Sequence, residues 1–280
     1  MYNAKLALAW NLFLGESQFL TEDAERKEMK KLRSFISSYW LTVVTVVLLI
    51  SGYVAYTSAE GTNKFLFPDL TLILGSLAAN WQLMFTNMFY SFTLIIPSIC
   101  ISLSLALLLG ILLGRNARLR KAFYPIVYTF SVIPAILLSP VALMVAHSFT
   151  SASIFLIVYG TVWSTLFSTI TGIMSIDRRY LDKAKTLNIT GFKLVRRVIL
   201  PAASPTILGG FTNSIRSSFV MLVFAEMYGA QQGMGFFVKK YAEMNIYKNT
   251  WAGVLFMAIV LVLVMQVYEH VKSYILRWTT

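Results

Sequence analysis

A chain of 280 residues that is 57% hydrophobic and only 13% charged is too apolar to be an ordinary soluble domain. Its formal charge of +12 would suit nucleic acid, but the basic residues follow the segments between apolar runs, which is the pattern of membrane topology. A single cysteine excludes an internal disulfide framework. His147 and His270 stand far apart with no Cys or carboxylate at ligand spacing, so no metal site is expected.

Residues 1–34 contain no run long enough to span a bilayer. They begin apolar but lack a small-residue cleavage pattern, so they read as a cytoplasmic N-terminal segment and not as a signal peptide. An interfacial helix over residues 2–14 is compatible with that reading. Residues 35–280 form the transmembrane domain. Six spans of roughly 20 residues are expected, at about 36–56, 86–112, 123–146, 152–174, 205–228 and 252–275. The loop Arg115, Arg118, Arg120, Lys121 is basic, as are the N-terminal segment and the central loop. The segments 57–85 and 147–151 have few basic residues. That asymmetry places both termini on the cytoplasmic side of a multi-pass protein in the cytoplasmic membrane. Pro97, Pro134 and Pro140 are expected to kink their helices.

Small residues recur every fourth position in the fourth span, at Gly160, Ser164, Ser168 and Gly172, and in the fifth, at Gly210, Ser214 and Ser218. Asn213 and Ser217 run alongside. Such stripes either line a narrow polar path or let helix backbones approach closely, and both readings stand at this level. Ionisable groups at membrane depth need a reason. Arg216 lies midway along the fifth span and Glu226 at its end, about 15 Å further along a helix axis, too far for a direct pair. The path candidates are therefore Ser164, Ser168, Asn213, Arg216, Ser217 and Glu226. Arg216 could meet an anionic solute, or a carbonyl or carboxylate of another helix.

The longest charged segment between spans covers residues 176–201. Tyr180, Leu181, Ala184 and Leu187, then Val195 and Val198, recur in it at helical spacing. It reads as two short amphipathic helices outside the membrane. Asn188 tolerates the left-handed conformation that follows a helix end, and Thr190 before Gly191 can cap the next helix. Leu200-Pro201 is expected to end it. A basic loop that merely obeys topology is the plainer alternative.

The order Leu181-Asp182-Lys183-Ala184, Leu187-Asn188, Arg196-Arg197-Val198 and Leu200-Pro201 resembles the EAA loop of permease subunits of ATP-binding-cassette importers. Asp182, Lys183 and Asn188 replace that motif's Glu, Ala and Gly. Ala225-Glu226-Met227-Tyr228-Gly229-Ala230, Gly233-Met234-Gly235, Arg277-Trp278 and Ile133-Pro134-Ala135 are similar to the branch associated with nitrate, taurine, alkanesulfonate, bicarbonate and thiamine-related precursors. The resemblance implies an all-α membrane protein with six transmembrane helices, like a type I importer permease, and a cytoplasmic coupling-helix loop. In it Tyr180, Leu181, Asp182, Lys183, Ala184, Leu187, Asn188, Thr190 and Gly191 would couple to an ATPase. The implied partners are ATPase subunits, an extracytoplasmic solute-binding protein, a second permease copy (identical or similar) and membrane lipid, with no nucleic acid. The branch often has Arg where this chain has Thr212, whereas Arg216 stands one turn later on the same face.

The sequence has no phosphate loop and no clustered acid–base residues. No cofactor is expected on this chain, and ATP and Mg belong to the partner. The implied function is import of a small anion or vitamin precursor, with no catalysis by this subunit. A stand-alone transporter or channel, or a non-transporting scaffold, is the alternative. The first lacks an internal repeat or a ring of pore charges, and the second gives Arg216 no role.

Overall fold

The computed structural model describes residues 40–59, 61 and 63–279, and every regular element among them is helical. The expected N-terminal segment and the first residues of the first span lie outside the described residues. The chain divides into two compact units, one up to Asp69 and one from Leu70 onward.

In the first unit, α1 (Trp40–Ser58) is apolar on nearly all sides and exposed along nearly its whole length. Two of its hydroxyls are satisfied internally: Thr45 Oγ1 donates to Leu41 O and Ser51 Oγ to Leu48 O. A short return then folds back on the helix. Tyr53 donates to Pro68 O at 2.9 Å, and Tyr56 packs edge-on against Phe67.

The second unit comprises α2 (Leu70–Ala79), α3 (Trp81–Arg115), α4 (Ala117–Val132), α5 (Ser139–Val145), α6 (Phe149–Met174), α7 (Arg178–Thr186), α8 (Gly191–Gly229), α9 (Met234–Glu243) and α10 (Tyr247–Ile275). Among the described residues five helices are long and apolar enough to cross a membrane, α1 included, and a sixth span exists if the bent α4–α5 pair counts as one. The bend is 80° and falls at Ile133-Pro134, where the residue before proline is extended (φ −71°, ψ 117°). Pro134 thus breaks its span outright. Pro140 sits in the first turn of α5, where a missing N–H is tolerated, and Pro97 stays inside α3.

The core is a three-helix layer with α6 between α3 and α8. Small residues set the spacing. A β-carbon on Gly110 would stand 2.6 Å from the Thr169 side chain, and one on Gly114 2.9 Å from Ile173. Leu166 and Ile170 of α6 are buried with Ala106 and Leu113 of α3, and Ile173 with Ile199, Ala203 and Ile207 of α8. Hydroxyls bond across both contacts, since water is not available to them. Thr161 donates to Ser102 Oγ at 2.9 Å, Thr165 and Ser214 share a 2.8 Å bond, and Ser214 donates to Thr161 O at 2.6 Å.

Two short helices occupy segments expected to be loops. α2 packs on α10 through a buried 2.6 Å bond from Ser76 to Asn249. α9 packs on it through Phe237 and Val238, which close over Gly253. Both are too short to span a bilayer, and so gave no span signal.

Candidate functional site

The elbow between α6 and α8 begins with Asp177 as the N-cap of α7. One carboxyl oxygen accepts from Arg179 N at 2.9 Å, and the other accepts from the Arg179 guanidinium at 2.6 and 2.9 Å. The side-chain bond, followed by the backbone bond, holds the Asp177 carboxyl below its ordinary value. The other end of α7 is a full Schellman turn. Asn188 is left-handed (φ 52°) and donates to Lys185 O, and Ile189 donates to Ala184 O, each at 2.9 Å.

The elbow shows which residues hold it and which it offers. Ala184 is buried beneath α7, and Leu181 packs on the cluster around Ile199. Tyr180 and Leu187 are 61% and 63% exposed, so the elbow presents apolar surface despite its charge. Asp182 and Lys185 pair on the outside at 2.9 Å. Lys183 lines a groove of about 500 Å³ with Tyr180, Leu187, Arg197, Pro201 and Trp278, a setting with room for its long side chain. Thr190 is the N-cap of α8 by position but makes no side-chain bond, and Gly191 has φ 61°. Phe192, in the first turn of α8, is a further exposed apolar residue, at 75%. Sequence reasoning missed it, and its position inside a basic run was the available signal.

Pro201 does not end the second helix, contrary to expectation. Helix α8 runs from Gly191 through a π turn at Val195–Ile199 to Gly229 without a stop. Proline has no N–H and its ring clashes with a carbonyl in a regular turn. The wider turn, in which Leu200 N bonds Val195 O five residues back, ends just before it. The second helix of the charged segment and the span are therefore one helix of 39 residues, about 58 Å long.

Along α8 the candidate path residues separate into different settings. Asn213 and Arg216 are exposed on one stripe with Gly209 and Val220. Ser217 is half-buried beside them and lines a 280 Å³ pocket with Tyr159, Trp163 and Pro134. Thr212 is buried and donates to Leu208 O, so it does not share the setting of Arg216, one turn later; the 40° offset between such positions crosses the edge of the contact. Ser164 and Ser168 stand at the α6–α8 contact. Ser164 donates to Gly210 O at 3.1 Å, and Ser168 fills the space against Gly210. Glu226 is fully buried at the other end of α8, accepting from Ser91 and from Gly235 N, and is not brought near Arg216. Asn87 and Ser91, its neighbours in α3, had no motif to announce them.

A bundle of apolar helices packed through small residues, with a helical elbow between two of them, has the architecture of a multi-pass membrane protein. Residues 106–279 match the family described as binding-protein-dependent transport system inner membrane component, and the chain belongs to that family. It is 30% identical over 199 residues to a probable ABC transporter permease protein of Brucella melitensis, covering 70% of this chain and 79% of that protein. It is 26% identical over 174 residues to the putative aliphatic sulfonates transport permease protein SsuC of Bacillus subtilis, covering 62% and 63%. Its fold is similar to a chain of the MetNI methionine ABC transporter in an inward-facing conformation, with TM-score 0.59 and 19% identity over 71% of this chain and 97% of that one. The chain is thus an inner-membrane permease subunit of an ATP-driven importer of small solutes.

Proposed function

We propose that this permease imports a small anion, driven by a separate ATPase that docks on α7 and carries the ATP and Mg. One observation carries the reading: the exposed apolar residues of α7 join, through a rigid turn, the same unbroken helix that presents Arg216 at mid-span. An arginine is not left facing hydrocarbon, so its stripe belongs to a subunit contact or a wet path. A second copy of the chain, set against Gly209, Asn213, Arg216 and Val220, provides both. The exposed apolar faces of α1 and α4 are the lipid-facing ones. With the basic loops and both termini in the cytoplasm, α2 and α9 lie at the outer end, where a solute-binding protein delivers the cargo. The sulfonate named for the Bacillus subtilis relative is the kind of anion a guanidinium holds well.

The test replaces Leu187, which is exposed, with Glu. The variant inserts in the membrane at parental levels but no longer retains the ATPase on co-purification. Undiminished retention would refute docking at α7. Arg216→Ala is expected to raise the KM for ethanesulfonate uptake by about 10–100-fold, the worth of a charge-assisted bond. An unchanged KM would remove the anion assignment.

A further inference from the structure

Three successive backbone N–H groups open α9, and none has an acceptor of its own. The N-terminal N–H groups of a helix lack intrahelical partners, and the N-cap here is Gly233, which has no side chain to help. The acceptors come from two other helices. Gly233 N donates to Asn87 Oδ1 at 2.7 Å, Met234 N to Ser91 Oγ at 2.9 Å and Gly235 N to Glu226 Oε2 at 2.7 Å. Ser91 closes the set by donating its proton to Glu226 Oε1 at 2.6 Å. Asn87, Ser91 and Glu226 are all buried, and Asn87 Nδ2 is fixed on Leu83 O.

The backbone is shaped for this meeting. Gly233 has φ +124°, and a β-carbon there would collide with the Glu226 carboxyl group. A β-carbon on Gly235 would stand 2.8 Å from Val223 O. Only two glycines let the start of α9 press this closely on α8.

We propose that Glu226 is a positioning residue for transport: with Asn87 and Ser91 it rivets the first turn of α9 to α3 and α8, so that the three move as one body when the elbow moves. Parting them would strand three N–H groups and a carboxyl in a dry region, so this junction stays shut while contacts between small residues elsewhere slide. The elbow is at one end of the 39-residue helix and the rivet at the other. What touches α9 is thereby felt at α7. This rests on the proposal that α7 receives the ATPase.

The experiment uses the full transporter in liposomes, with its ATPase and its binding protein as isolated with natural cargo. The readout is the ratio of ATP hydrolysis with and without binding protein. Glu226→Ala is expected to lower that ratio by about ten-fold, within the usual range of coupling between sites. In a Cys100→Ser background, the pair Ser91→Cys and Met234→Cys, oxidised, keeps the parental ratio and restores it to the Glu226→Ala variant. Reduction removes the rescue. A parental ratio in Glu226→Ala would overturn the proposal, as would a crosslink that stops the cycle until reduced. Should Glu226→Ala fail to assemble, two further variants decide the matter: Ser91→Ala, which deletes one acceptor and lowers the ratio, and the crosslink on the parental glutamate, which preserves it. The opposite result in either would overturn the proposal. Undiminished ATPase retention in the Leu187→Glu variant would instead count against docking at α7, whatever the Glu226 variants show.

Discussion

A β-carbon is a sensitive probe of which helix faces are in use, and two adjacent glycines of α8 answer differently. At Gly210 it would collide with Ser168 and stand 2.8 Å from Ser164 O, whereas at Gly209 nothing lies within 4 Å. Gly210→Ala is expected to cost about 1–3 kcal/mol, as overpacking does, read as a lowered melting temperature of the purified protein. Gly209→Ala is expected to leave the isolated subunit unchanged, and under the proposed pairing a bulky Gly209→Trp is expected to disturb only the contact with a second copy. Asp177 supplies a pH dependence. Its carboxyl lies below the ordinary 3.8 in the folded protein. A depressed value means that its hold on α7 is present above the unfolded value and is lost as pH falls through the folded one. Protection of the Arg179 amide, which donates to Asp177, is therefore expected to hold at neutral pH and to fall in acid, read as its exchange rate relative to that of an unstructured amide at the same pH. Asp177→Ala removes that protection at every pH.

At the scale of elements, the long apolar helices were legible because a bilayer demands length and apolarity, and both are visible in a sequence. The expected 152–174 corresponds to α6 (Phe149–Met174), and 252–275 to α10 (Tyr247–Ile275). The Asn188 break was legible too, since few residues take a left-handed backbone. The continuity across Pro201 was not, because a proline rule describes regular turns and the chain uses a π turn. Nor was the contact around Glu226, which joins residues 135 positions apart in sequence. The small-residue stripes could be read either way until their partners were seen. Ser164 and Ser168 meet α8, whereas Asn213 and Arg216 are exposed. Continuity has a testable consequence. One residue inserted between Ile199 and Leu200 rotates α7 by about 100° relative to the span. The inserted variant is expected to reach the membrane at parental levels and lose ATP-dependent uptake; parental uptake would show that the joint transmits no orientation.

For the whole molecule, the proposed pairing of two copies along the exposed stripe of α8 is open to a direct test. Single cysteines at Asn213, Arg216 or Val220, in a Cys100→Ser background, should crosslink two copies in native membranes, while one at Thr212, which is buried, should not. Crosslinking at none of the three exposed positions would mean that two identical chains do not meet there.

The central place of α6 also bears on how the protein is made. Synthesis proceeds from the N-terminus, yet the hydroxyls of Thr165 and Ser164 find their partners only in Ser214 and Gly210, some fifty residues later. Until that stretch leaves the ribosome, a polar seam stands open to lipid. Nascent chains halted before residue 210 should be retained by the insertion machinery and cleared by membrane proteases, and those released after Gly229 should persist.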